Sequence, residues 1–101
     1  MKLLIVTAVA QFRDQVHELF KKANIESFSG SGIDGYKSSP ALLKTSSWFP
    51  GEVGGVESQL FFAFTSEEKV GRLLQLLTDF NKDLETDNPL KMVVLPVEKY
   101  V

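Results

Sequence analysis

The chain opens on an unbroken apolar run, Leu3-Leu4-Ile5-Val6-Thr7-Ala8-Val9. It is rich in β-formers and has no polar alternation, which predicts a central strand buried on both faces. The spacing then becomes helical. Phe12, Val16, Leu19, Phe20 and Ala23 share one face, and Arg13, Asp14, Glu18, Lys21 and Lys22 fill the other. Two lysines in the last turn suit the helix dipole, and Asn24 follows as a left-handed cap. Residues 25–36 form a weaker strand candidate, with Phe28, Ile33 and Tyr36 interrupted by Gly30, Gly32 and Gly35. Residues 37–57 hold no sustained period and read as a long functional or disordered loop. Ser58 to Phe64 is a second strong strand. Thr65 and Glu68 have the spacing of a capping box, and Val70, Leu73, Leu74, Leu77 and Phe80 carry the helix that follows. Asp87-Asn88-Pro89 predicts a turn, and Lys91 to Val97 a last strand. Pro96 places that strand at a sheet edge, or itself near the strand's end.

The resulting order, β-α-β-β-α-β, predicts an α+β ferredoxin-like domain spanning 1–101. Four antiparallel strands would carry two helices on one face, with the long loop between strands two and three. Phe61 and Phe62 are adjacent in a strand, so they must point to opposite faces. One faces the helices. The other faces a surface this chain cannot cover, which predicts burial between subunits.

Composition narrows the function classes. Of 101 residues, 44% are hydrophobic and 24% charged, as in ordinary globular domains. The net charge of −2 argues against nucleic acid as a partner. The absence of cysteine excludes disulfides, thiolate metal sites and a thiol nucleophile, and fits a cytoplasmic location. The N-terminal apolar run is too short to span a bilayer and precedes no small-residue cleavage site.

Catalytic residue types are sparse. His17 is the only histidine; nothing near it in sequence completes a site, so it reads as a helix-edge residue. Met1 and Met92 read as initiator and strand core. Glu67 and Glu68 offset the helix dipole, and Asp83, Glu85 and Asp87 form a solvated turn without the pattern of a calcium loop. Gly30-Ser31-Gly32-Ile33-Asp34-Gly35 matches G-x-G-x-x-G, but the helix a dinucleotide site needs does not follow it. Its glycines allow a kink, or close approach of a ligand or another backbone. Lys37, Lys44, Trp48, Phe49 and Glu52 are the loop residues suited to a protein partner, with the Trp48-Phe49 pair as anchor.

These features together resemble the PII signal-transduction proteins. The start, Met1-Lys2-Leu3-Leu4-Ile5-Val6, looks like their first strand, and Gly30-Ser31-Gly32 sits where they carry G-x-G before the long T-loop. Lys91-Met92-Val93-Val94-Leu95-Pro96-Val97-Glu98 is similar to the family's K-I-F-V-x-P-V-E segment. The resemblance implies a cytoplasmic homotrimer with inward-facing sheets, small-effector clefts between subunits, and a loop that engages a partner protein. It assigns the ligand cleft to Gly30, Gly32, Ile33, Asp34 and Lys91, with Lys91 as cationic anchor, and the 37–57 loop to a partner such as a membrane transporter.

The sequence departs from the family at its phosphate-binding elements. Ile33-Asp34 replace the Arg-Gln after G-x-G. Glu85-Thr86-Asp87-Asn88-Pro89-Leu90-Lys91 replaces a glycine-rich loop, and the basic segment after P-V-E is absent. ATP is therefore expected to bind with a dissociation constant of about a millimolar or weaker. The leading expectation is a non-enzymatic regulator without cofactor or metal. The alternative is a CutA-like divalent-metal binding or tolerance protein, using His17, Asp34, Glu57 and the acidic turn. An acylphosphatase-like enzyme is disfavoured, because Gln11-Phe12-Arg13 lacks a glycine-rich phosphate cradle.

Overall fold

The first apolar run becomes β1, Lys2–Val9, at the centre of a four-stranded sheet. The computed structural model describes residues 1–36, 56–84 and 89–101. A 3-10 turn at Ala10–Phe12 leads into α1, Arg13–Lys22. Then come β2, Ser29–Gly35, β3, Val56–Thr65, α2, Glu67–Lys82, and β4, Lys91–Pro96. The sheet order is β2-β3-β1-β4, and every pairing is antiparallel. This is the expected ferredoxin-like α+β arrangement.

The helix-covered side forms the core. Leu4, Val6 and Ala8 of β1 are fully buried, alternating along the strand as a pleat requires. Phe61 and Ala63 of β3 join them from the neighbouring strand, beneath Val16, Leu19 and Phe20 of α1 and Val70, Leu73 and Leu77 of α2. Phe20, Phe28 and Phe61 form an aromatic cluster with centroids 4.5 to 6.1 Å apart. Phe12 meets Phe80 edge-to-face at 5.9 Å, tying the 3-10 turn to α2. Arg72 adds a polar tie, its Nε donating to the Lys22 carbonyl at 2.9 Å.

The helix ends follow local hydrogen-bond chemistry. Asn24 takes φ 61° after α1. Its amide donates to Lys21 O and the Ile25 amide donates to Phe20 O, the paired bonds of a Schellman cap. The expected cap of the second helix is shifted by one residue. Thr65 is the last residue of β3, paired with Lys2, and Ser66 is the N-cap, its Oγ accepting from the Lys69 amide at 3.3 Å. A β-branched threonine suits the strand, and its pairing with β1 keeps it there. The third helical position is then Lys69, so Glu68 does not complete a capping box.

Other boundaries move in the same way. α1 begins at Arg13 rather than Phe12, β2 occupies only 29–35, and β3 starts two residues earlier than Ser58. The expected turn at Asp87 and Asn88 lies outside the described residues. Entry into β4 is fixed by Asn81, whose Nδ2 donates to Leu90 O and whose Oδ1 accepts from Leu90 N, both at 2.9 Å. Pro96 ends β4 at the sheet edge, where its missing N–H costs no ladder bond.

Candidate functional site

The uncovered face of the sheet is apolar. Antiparallel register sets Phe64, Leu3 and Leu95 in one row and Phe62, Ile5 and Val93 in the next. Phe62 is 38% exposed and Phe64 54%, whereas Phe61, pointing the other way, is 1% exposed. On this face Leu3 and Ile5 are only half-buried whereas Thr7 and Val9 are buried, so within one chain β1 is closed on both faces in its second half but not in its first.

The predicted ligand residues occupy two places. Gly30, Gly32 and Asp34 share the helix side of β2, while Ile33 points to the open side. Lys91 is on β4, paired with Thr7 on the open side. β2 and β4 are opposite edges, three strand spacings or about 14 Å apart. One chain therefore does not gather Lys91 with the glycine segment. The partner-loop residues Lys37, Lys44, Trp48, Phe49 and Glu52 lie outside the described residues, as do Glu85 and Asp87 of the acidic turn.

Two clefts escaped the sequence reading. The first, about 550 Å³, is lined by Glu26, Ser27, Phe28, Ser29, Phe62, Ala63 and Phe64. Its cause is register. Ser29 pairs with Phe62, and the chain before it leaves the sheet, so Ala63 to Thr65 are paired with β1 only. The notch opens beside the apolar face and shares Phe62 and Phe64 with it. The second, about 480 Å³, lies on the helix side and is lined by Arg13, His17, Phe28, Gly30, Gln59 and Phe61. His17 is exposed, as expected of a helix-edge residue, yet its ring is held edge-on against Phe28 at 5.2 Å and Phe61 at 5.6 Å. Gly30 permits this packing, since a Cβ there would stand 3.1 Å from the Phe61 ring.

The metal alternative finds no built centre: among the described residues, no group of three or more His, Cys, Asp or Glu side chains could hold an ion. Asp34 and Glu57 do face each other across β2 and β3, as two carboxylates only. Among the described residues, no helix is long and apolar enough to cross a membrane.

The chain matches no protein-family model and no curated protein. Solved structures do match. One is CPII, a nitrogen regulatory PII-like protein from Thiomonas intermedia K12, bound to ADP, AMP and bicarbonate. It is 17% identical, with a TM-score of 0.63 over 99% of this chain and 94% of CPII. Another is a DUF3240 family protein from Shewanella baltica OS155, 18% identical, with a TM-score of 0.68 over 99% of this chain and 92% of that one. At such identities the likeness is one of fold. With TM-scores of 0.63 and 0.68 over nearly the whole of each chain, this chain has the PII-like fold.

Proposed function

We propose that this chain is the subunit of a PII-like homotrimer, a regulator rather than an enzyme. A small effector binds where subunits meet, and the segment between β2 and β3 reports its presence to a protein partner such as a membrane transporter. A cytoplasmic setting accords with the cysteine-free composition.

The observation that carries this reading is the open apolar face. Phe62 and Phe64, with the leucine, isoleucine and valine rows beside them, form a contiguous patch on one side of a small sheet. Such patches mark association surfaces. A closed ring covers one face per subunit and leaves no free patch. A ring would also set the β4 edge of one copy beside the β2 edge of the next. Lys91 would then stand near a neighbour's Gly30–Asp34 segment, which a single chain cannot achieve. The notch beside Phe62 and Phe64 would be closed from outside by the same contact.

The effector is smaller or less charged than a nucleoside triphosphate. CPII binds ADP, AMP and bicarbonate, so the fold accepts both nucleotides and a small anion. Here Pro89 offers no amide donor, Glu85 and Asp87 add like charge, and Lys91 is the remaining cation of that segment. Bicarbonate-sized or singly charged ligands suit this donor set better than ATP.

Light scattering tests the assembly. A trimer of three 11.3 kDa chains, about 34 kDa, is expected at micromolar concentration. A stable monomer there would remove the basis of the proposal.

A further inference from the structure

The cleft on the helix side is a binding site of its own. We propose that Arg13, His17, Gln59 and the Phe28–Phe61 floor bind a small organic monocarboxylate with a flat apolar body. All these residues belong to one chain, so no partner residue is needed to complete the site, which lies on the helix side of the β2 edge that the proposed ring sets beside a neighbour's β4.

The cleft exists because β2 is bare on its helix side. Gly30 and Gly32 carry no side chains, and they pair with Phe61 and Gln59 of β3. α1 turns its Val16, Leu19 and Phe20 into the core and leaves Arg13 and His17 at its border, one helical turn apart. The result is a concavity of about 480 Å³ with polar heads on its rim and aromatic rings at its base. Ligand sites commonly combine an apolar floor with a few convergent polar groups.

One donor packs on the aromatic floor and two are left unengaged by the rest of the chain. The exposed His17 ring rests on both floor rings, at 5.2 Å from Phe28 and 5.6 Å from Phe61. The Gln59 side-chain amide has no hydrogen-bond partner among the described residues, although the residue is half-buried. Arg13 has only a marginal ion pair, its Nε 3.9 Å from Asp14 Oδ1, with both side chains largely exposed. Such a contact holds a guanidinium weakly and leaves its fork available. A carboxylate on Arg13 would accept a second bond from Gln59 or His17. Its flat body would lie against Phe28, over the backbone that Gly30 leaves open.

Charge selects against larger anions. On the same face, Asp34 and Glu57 stand directly opposite each other, two strand positions beyond Gly32 and Gln59, or about 7 Å. A second negative group reaching along the sheet would meet two carboxylates. The class that fits is therefore a singly charged carboxylate, not a polyphosphate.

The test is amide-resolved NMR titration of the full chain with benzoate. Saturable shifts are expected at Arg13, His17, Gly30 and Gln59, including the Gln59 side-chain amide, with a dissociation constant of about a millimolar. Benzamide, of the same shape without the charge, is expected to bind at least about tenfold more weakly, as is benzoate to Arg13→Gln. Arg13 is exposed, so that variant keeps the native spectrum; Gln59→Leu provides a second lesion inside the cleft and is expected to weaken benzoate severalfold. Any one of four results overturns the proposal: no saturation by about 20 mM, shifts that map elsewhere, unchanged affinity in Arg13→Gln, or inorganic phosphate binding as tightly as benzoate.

Discussion

The two sides of this sheet are built from similar residues and stand in opposite conditions. On one side Phe61, Ala63, Leu4 and Val6 meet two helices of their own chain and are closed off from water. On the other, Phe62, Phe64, Leu3 and Ile5 belong to the same strands, one residue out of phase, and meet no helix. Apolar composition thus does not decide which side folds the domain. The helices do, because the crossovers of the two β-α-β units lie on the same side of the sheet. The closed side stabilises the fold of one chain, and the open side is the surface that the proposed assembly would cover.

That contrast breaks hardest at Phe61. Phe61→Ala removes the ring that Phe20, Phe28 and His17 all touch. It is expected to cost about 3–5 kcal/mol, enough to unfold much of the protein, and chemical denaturation followed by circular dichroism measures it. Phe62→Glu, one residue along, is expected to do something different. The helical signal should persist while light scattering shows subunits instead of trimers, because a carboxylate on the open face is tolerated only in water. If Phe62→Glu left the trimer intact, the open face would not be the association surface.

Smaller changes sharpen the picture within one chain. Asn81→Ala removes both bonds that hold Leu90 at the start of β4, and is expected to cost about 1–2 kcal/mol in equilibrium unfolding. Gly71 lies on the exposed side of α2 with nothing within 4 Å of a Cβ built there. Gly71→Ala is expected to stabilise by about 0.5–1 kcal/mol, read as a higher thermal midpoint, away from both faces. The smallest effect is expected at Thr7, fully buried on the open side, whose hydroxyl has no hydrogen-bond partner among the described residues. Thr7→Val removes an unsatisfied group without changing shape, so unfolding should show no loss and a gain of at most about 1 kcal/mol.

Much of this architecture was legible from spacing. Period two and period three-and-a-half separate strands from helices because burial on one face imposes those repeats on any chain. Asn24 was legible as a cap because its φ requirement is local. The cap of α2 is ambiguous by one residue in the sequence because Thr65 and Ser66 both offer a capping hydroxyl, and only pairing with Lys2 reserves the threonine for the strand. Nothing in local spacing relates Lys91 to the glycine segment; only the family resemblance brings them together. Only the strand order reveals that they occupy opposite edges of one subunit.

By itself, then, the sequence determined the order and kind of the elements, the amphipathic faces of both helices, and the excess of apolar surface over what two helices can cover. These are properties of neighbours along the chain, set by periodicity and backbone preference. The tertiary structure alone decided that Gln59 comes beneath Arg13 and His17, that Gly30 opens the floor between them, and that Asp34 faces Glu57. Those meetings join residues more than a dozen positions apart. They depend on the register of β2 against β3 and on where α1 stops covering the sheet, and no local spacing encodes either one.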